Sequence, residues 1–123
     1  FDDRISVHPY GLGKEEGLAE FEIENEQNTG SQSLSIKSEG GIPVHVLDNQ
    51  AFPQKIALMK IDVEGAEYDI LNAMIDRGVI DHVDKVFVET HAHSIPSLKP
   101  VDAALRQRIA ERGLAGKIDL NWL

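Results

Sequence analysis

The stretch Leu58-Met59-Lys60-Ile61-Asp62-Val63-Glu64-Gly65-Ala66-Glu67 decides how the rest of the chain is read. The apolar run Ile56-Ala57-Leu58-Met59 leads into it, and Asp62, Glu64 and Glu67 follow around a single glycine. A short, nearly continuous apolar run is the pattern of a strand covered on both faces, as in a parallel sheet. The period then changes. Ala66, Ile70, Leu71 and Met74 recur at helical spacing up to Gly78, a residue suited to ending a helix. Lys85-Val86-Phe87-Val88-Glu89 reads as a second buried strand. Strand, helix and strand of these lengths make a βαβ unit, which predicts parallel strands and a right-handed crossover.

Toward the N-terminus, RISVHPYGLG (residues 4–13) alternates at Ile5 and Val7 and reads as a strand ending in a Gly-rich turn. In LAEFEIEN, Phe21 and Ile23 fall on one face and Glu20, Glu22 and Glu24 on the other, the pattern of a half-exposed strand. Leu34/Ile36 and Ile42/Val44/Val46 look like two short strands separated by Ser-Glu-Gly-Gly, so an antiparallel meander is expected in the middle of the chain. Toward the C-terminus, Pro100 starts a helix with Val101, Ala104, Leu105 and Ile109 on one face. Gly113 ends it, and the short strand KIDLNWL follows.

Composition narrows the function. The chain has 123 residues, enough for one domain with a modest core, and its 41% hydrophobic and 27% charged residues are those of a globular protein. The formal net charge of −9 repels phosphate backbones and anionic membrane surfaces, so neither nucleic acid nor membrane is expected as a partner. With no cysteine, disulfides, thiolate nucleophiles and Cys-based zinc sites are excluded together, and any metal would have to be held by His and carboxylate. No apolar run approaches the roughly 18 residues of a membrane helix. FDDRIS lacks the basic start and apolar core of a signal peptide, which makes a cytoplasmic setting the expectation. The numbering opens on Phe1, so a piece of a longer chain is also expected.

In open parallel sheets ligands bind at the carboxyl ends of the strands. Asp62 and Glu64 leave the first parallel strand, and Glu89, His91 and His93 leave the second, so they are expected to line one crevice. A carboxylate there can take a proton from a substrate hydroxyl, hydrogen-bond a cofactor, or join imidazoles around a divalent cation. Glu64-x-x-Glu67 also has the spacing of a capping arrangement at a helix start, and Glu67 is read in that way. Asp62 follows the most apolar stretch, where an unpaired carboxylate is costly, and is read as functional. His91-x-His93 would present two imidazoles on one strand face, and with Asp62 could form a metal site. Two nearby histidines are more often polar loop residues, and no metal is assigned on this signal. GLGKEEG (residues 11–17) has one residue too many for a G-x-G-x-x-G phosphate loop and reads as a turn.

LMKIDVEGAEYDIL (Leu58 to Leu71) resembles the K-I-D-V-E-G-x-E signature of the FkbM-type methyltransferases. HPYGLGKEEG, FEIEN, NTGSQSL, PVHVLDN with its Leu47-Asp48 pair, and VFVETH follow in the order that family shows. The resemblance implies an α/β fold with an incomplete Rossmann-like, class I methyltransferase-like sheet, in a single domain over residues 1–123 that lacks the first two strands. It implies an S-adenosylmethionine-dependent O-methyltransferase acting on a hydroxyl of a small molecule or carbohydrate. Asp62, Glu64, Glu89 and His91 would be nearest the chemistry, and Pro9, Tyr10, Gly11, Leu12 and Asp62 would touch the donor. In this family the strand carrying Ile56 to Ile61 lies beside the missing strands, so its edge would be open. A homodimer or a longer chain would cover it. The alternative is a non-catalytic remnant serving as a binding or dimerisation module, and a metal-dependent hydrolase using Asp62, His91 and His93 is a third reading.

Overall fold

The computed structural model describes residues 4–8, 11–12, 16–23, 32–37, 42–45 and 55–121. In chain order the elements are β1 (Gly11–Leu12), β2 (Gly17–Ile23), β3 (Gln32–Lys37), β4 (Ile42–His45), β5 (Ile56–Ile61), α1 (Glu67–Asp76), β6 (Val83–Val88), α2 (Lys99–Glu111) and β7 (Ile118–Asp119). Single 3₁₀ turns at Val79–His82 and Pro96–Leu98 precede β6 and α2.

The βαβ reading holds. β5 and β6 pair in parallel with Ile56 opposite Val83 and Ile61 opposite Val88, and β7 joins the far side of β6 in parallel, with Val86 opposite Ile118. One face of α1 carries Ile70, Leu71, Met74 and Ile75 into a core shared with Val83, Val86 and Val88 of β6, Leu105 and Ile109 of α2, and Ile118 of β7. Apolar burial of this kind is the main term favouring the fold. α1 stops where expected. The Arg77 N–H donates to the Ala73 carbonyl, and Gly78 takes the left-handed conformation at φ 76° that residues with a Cβ resist. Pro100 lies in the first turn of α2.

The expected single incomplete Rossmann-like sheet with an antiparallel meander is not what forms. The parallel sheet has only three strands, β5-β6-β7, and carries the two helices, while the N-terminal strands make a separate four-stranded sheet in the order β1-β4-β2-β3. A meander would pair β3 with β4. Instead β2 lies between them, with Phe21 opposite Leu34 on one side and Ala19 opposite Ile42 on the other, and β4 continues parallel to β1. Period-2 alternation fixes which face of a strand is apolar but says nothing of which neighbour takes which edge.

Three smaller expectations also change. Ile5 and Val7 alternate in sequence, yet residues 5–8 form no strand and both side chains are exposed. β5 is not covered on both faces: Leu58 is 61% exposed, and β6 is its only strand partner among the described residues. On α2 the buried positions are Leu105 and Ile109, whereas Val101 and Ala104 face outward. A helix covering one edge of a three-stranded sheet needs only a narrow apolar stripe.

α1 and α2 are also tied by polar contacts. The Tyr68 hydroxyl donates to Asp102 Oδ1 at 2.8 Å, and Arg106 Nε donates to Asp102 Oδ2 at 2.7 Å. Arg108 reaches back from α2 to Asn72, at 2.8 Å, and to Asp76. Burial, reinforced by the Asp102 carboxylate, pushes the Tyr68 hydroxyl well above its ordinary pKa, so it stays a donor. Burial works against the Asp102 carboxylate too, but the hydrogen bonds from Arg106 and Tyr68 outweigh it and hold Asp102 below its ordinary value. A depressed carboxyl contributes stability above its unfolded-state pKa and loses that contribution as pH falls through the folded-state value. Asp102→Ala is therefore expected to destabilise the fold by about 1–3 kcal/mol at pH 7 in urea unfolding. The gap from the unsubstituted protein should narrow as pH drops below the ordinary carboxylate range.

Candidate functional site

β5 and β6 end side by side. The Glu89 N–H donates to the Ile61 carbonyl at 3.0 Å, which holds the two chains together one residue past β6. From there one loop, Asp62 to Ala66, turns into α1, and the other, from Glu89 through His91, turns toward α2. The first is tightened by the Ala66 N–H to the Val63 carbonyl at 3.0 Å and by Gly65 at φ 105°. A Cβ at Gly65 would be strained by that backbone and would also touch Ile95 and Leu98.

The two loops meet on Glu67, the first residue of α1, which is fully buried at 0% exposure. A buried carboxylate is costly unless its oxygens are satisfied. Its Oε2 accepts the Gly65 N–H at 2.9 Å, and its Oε1 accepts the His91 N–H at 2.8 Å and lies 3.2 Å from His91 Nδ1. With Glu67 as an ionised acceptor, His91 donates from Nδ1, and Nε2 lies on the far side of the ring. His91 is itself buried, and its Nε2 lies 3.5 Å from Glu64 Oε2. One ligand atom each from Asp62, Glu64 and His91 lies within 4.8 Å of the others.

The residues singled out in the sequence are distributed as follows. Asp62, Glu64 and His91 converge, with Asp62 exposed and 3.7 Å from Lys60 Nζ. Glu89 is half-buried where β6 ends. His93 is exposed, its ring stacked on that of His91 at 6.5 Å between centroids, outside the converging set. Gly11 and Leu12 form β1, and Leu12 packs against the core. Pro9, Tyr10 and the Leu47-Asp48 pair lie outside the described residues. Beside the cluster, along β5, is a cleft of about 500 Å³ lined mainly by Leu12, Ile56, Leu58, Met59, Ile61 and Ile70, with Asp62 among its walls.

Glu67 is the residue whose part the sequence conceals most. Its spacing from Glu64 suits a helix-start carboxylate, but Glu67, Ile70, Leu71 and Met74 stand at i, i+3, i+4 and i+7, so Glu67 continues the apolar stripe of α1. A charge in a buried stripe signals a partner, and the partner is His91. Glu67→Ala is expected to cost about 3 kcal/mol in urea unfolding, because it strands buried donors of His91 and Gly65. Glu64→Ala, nearer the surface, should change stability by less than about 0.5 kcal/mol.

Neither the curated proteins nor the solved structures contain a significant match to the chain. Among the described residues no helix is long and apolar enough to cross a membrane. The model of the methyltransferase FkbM domain matches residues 2–114, which takes in the four-stranded sheet, β5 and β6 of the parallel sheet, both helices and the whole Asp62–His91 cluster. The chain therefore belongs to the FkbM methyltransferase domain family.

Proposed function

We propose that the chain serves an S-adenosylmethionine-dependent methyltransferase that methylates a hydroxyl oxygen of a small molecule or carbohydrate. The observation that carries this reading is the buried Glu67–His91 pair, which draws Asp62, Glu64 and His91 together at the carboxyl ends of two parallel strands and beside an apolar cleft. Such a crevice is where parallel α/β sheets bind their ligands.

The cleft suits the donor. Leu12, Leu58, Met59 and Ile61 offer apolar surface to a purine, and Asp62 supplies negative charge suited to a sulfonium. When bound, the donor supplies an electrophilic methyl group attached to a sulfur leaving group. The chain's own work is positional. Asp62 and Glu64 accept a hydrogen bond from the acceptor hydroxyl and take its proton as the oxygen becomes a nucleophile. Glu89 and His91 bound the acceptor side, and Glu67 keeps the His91 ring from turning. A second reading, a non-catalytic binding or dimerisation module, draws on the edge of β5 that has no strand partner among the described residues and on the exposed Leu58.

Calorimetric titration with S-adenosylmethionine and S-adenosylhomocysteine tests the proposal. Binding with a Kd of about 100 μM or tighter, roughly −5.5 kcal/mol, is expected, weakened at least about fivefold in Asp62→Asn. A folded protein that binds neither compound would overturn the enzymatic reading and favour the binding module.

A further inference from the structure

We propose that Asp62, Glu64 and His91 form a binding site for a first-row divalent cation such as Mn²⁺. His91 makes the strongest argument. It is more than nine-tenths buried, at 5% exposure, so its ring cannot turn to water. Its Nδ1 lies 3.2 Å from the buried Glu67 carboxylate, which leaves Nε2 aimed into the cluster, 3.5 Å from Glu64 Oε2. A carboxylate that orients a histidine through Nδ1 so that Nε2 is presented outward is the outer-shell arrangement of metal-ligating histidines.

What Nε2 faces strengthens the case. Glu64 Oε2 stands 3.5 Å away, close enough for one cation to be held by both atoms. Asp62 brings a second carboxylate to the same point. Two carboxylates against the one Lys60 ammonium, 3.7 Å from Asp62, favour a cation between them and the imidazole. Metal–oxygen and metal–nitrogen bonds of about 2.1 Å require donors within about 4.2 Å of one another. The donors here lie within 4.8 Å of one another, and the two that would close any gap, Asp62 and Glu64, are the two with solvent around them, their side chains 41% and 38% exposed. Imidazole combined with carboxylate suits Mn²⁺ and its neighbours better than the all-oxygen shells of Ca²⁺ or Mg²⁺.

Three protein ligands leave coordination positions open on the solvent side. If the methyl-transfer reading holds, the cation would make an acceptor hydroxyl at one of them more acidic, and Asp62 and Glu64 would then hold the cation in place of taking the proton themselves. That consequence rests on the methyl-transfer reading; the cation site itself does not.

The test uses untagged protein, stripped with a chelator and titrated with Mn²⁺ at pH 7.5, with free Mn²⁺ followed by electron paramagnetic resonance and heat by calorimetry. One Mn²⁺ per chain is expected with a Kd below about 100 μM. Asp62→Asn and Glu64→Gln should each weaken binding at least about tenfold with thermal unfolding unchanged, and His93→Ala should bind normally. No binding up to 1 mM Mn²⁺ in a folded sample, or binding that survives both carboxylate substitutions, would overturn the site. Such a proton-only cluster would leave the methyl-transfer reading standing. Mn²⁺ binding without S-adenosylmethionine binding would uphold the site and sink the methyl-transfer reading.

Discussion

The site depends on one buried carboxylate. Glu67 lies at the start of α1, sealed from water, where an ionised oxygen is tolerated only if donors replace its hydration. It finds them in two loops that follow different strands: Gly65 after β5 and His91, through both backbone and ring, after β6. Satisfying Glu67 therefore fixes the distance between those loops. The left-handed Gly65 and the 3.0 Å bond from Glu89 to Ile61 set the geometry within which this is possible. Asp62, Glu64 and His91 converge as a consequence.

The same arrangement explains why the functional side chains differ so much in exposure. His91 is oriented and dry, while Asp62 and Glu64 sit at the mouth with about two-fifths of their side chains in solvent. A fixed imidazole and two movable carboxylates can close on a small charged or polar group without repacking the core. The cleft along β5 adjoins them, so an apolar ligand portion and a polar reacting group would meet at Asp62.

The sequence alone made the parallel unit readable, because β5, α1 and β6 carry strong local signals: an apolar run, a helical stripe ending in Gly78, and a second apolar run. The convergence of Asp62, Glu64 and His91 followed from the rule that loops after parallel strands share an edge of the sheet. What did not follow was anything set by pairing between distant segments. Alternation marked β2, β3 and β4 as strands but not their order, and the short Ile5/Val7 alternation did not make a strand. Glu67 was obscured for a different reason. A carboxylate at a helix start is favourable in isolation, and only the tertiary structure shows that this one is buried against a histidine.

A proton held on His91 Nδ1 by Glu67 directs Nε2 into the cluster. The nitrogen-15 spectrum of the His91 imidazole, recorded on metal-free protein at pH 8, tests it most directly. The expected spectrum is that of a ring protonated at Nδ1, with the unprotonated nitrogen signal belonging to Nε2 and the Nδ1 proton protected from exchange. A ring protonated at Nε2, or one averaging between tautomers like a histidine in water, would contradict it.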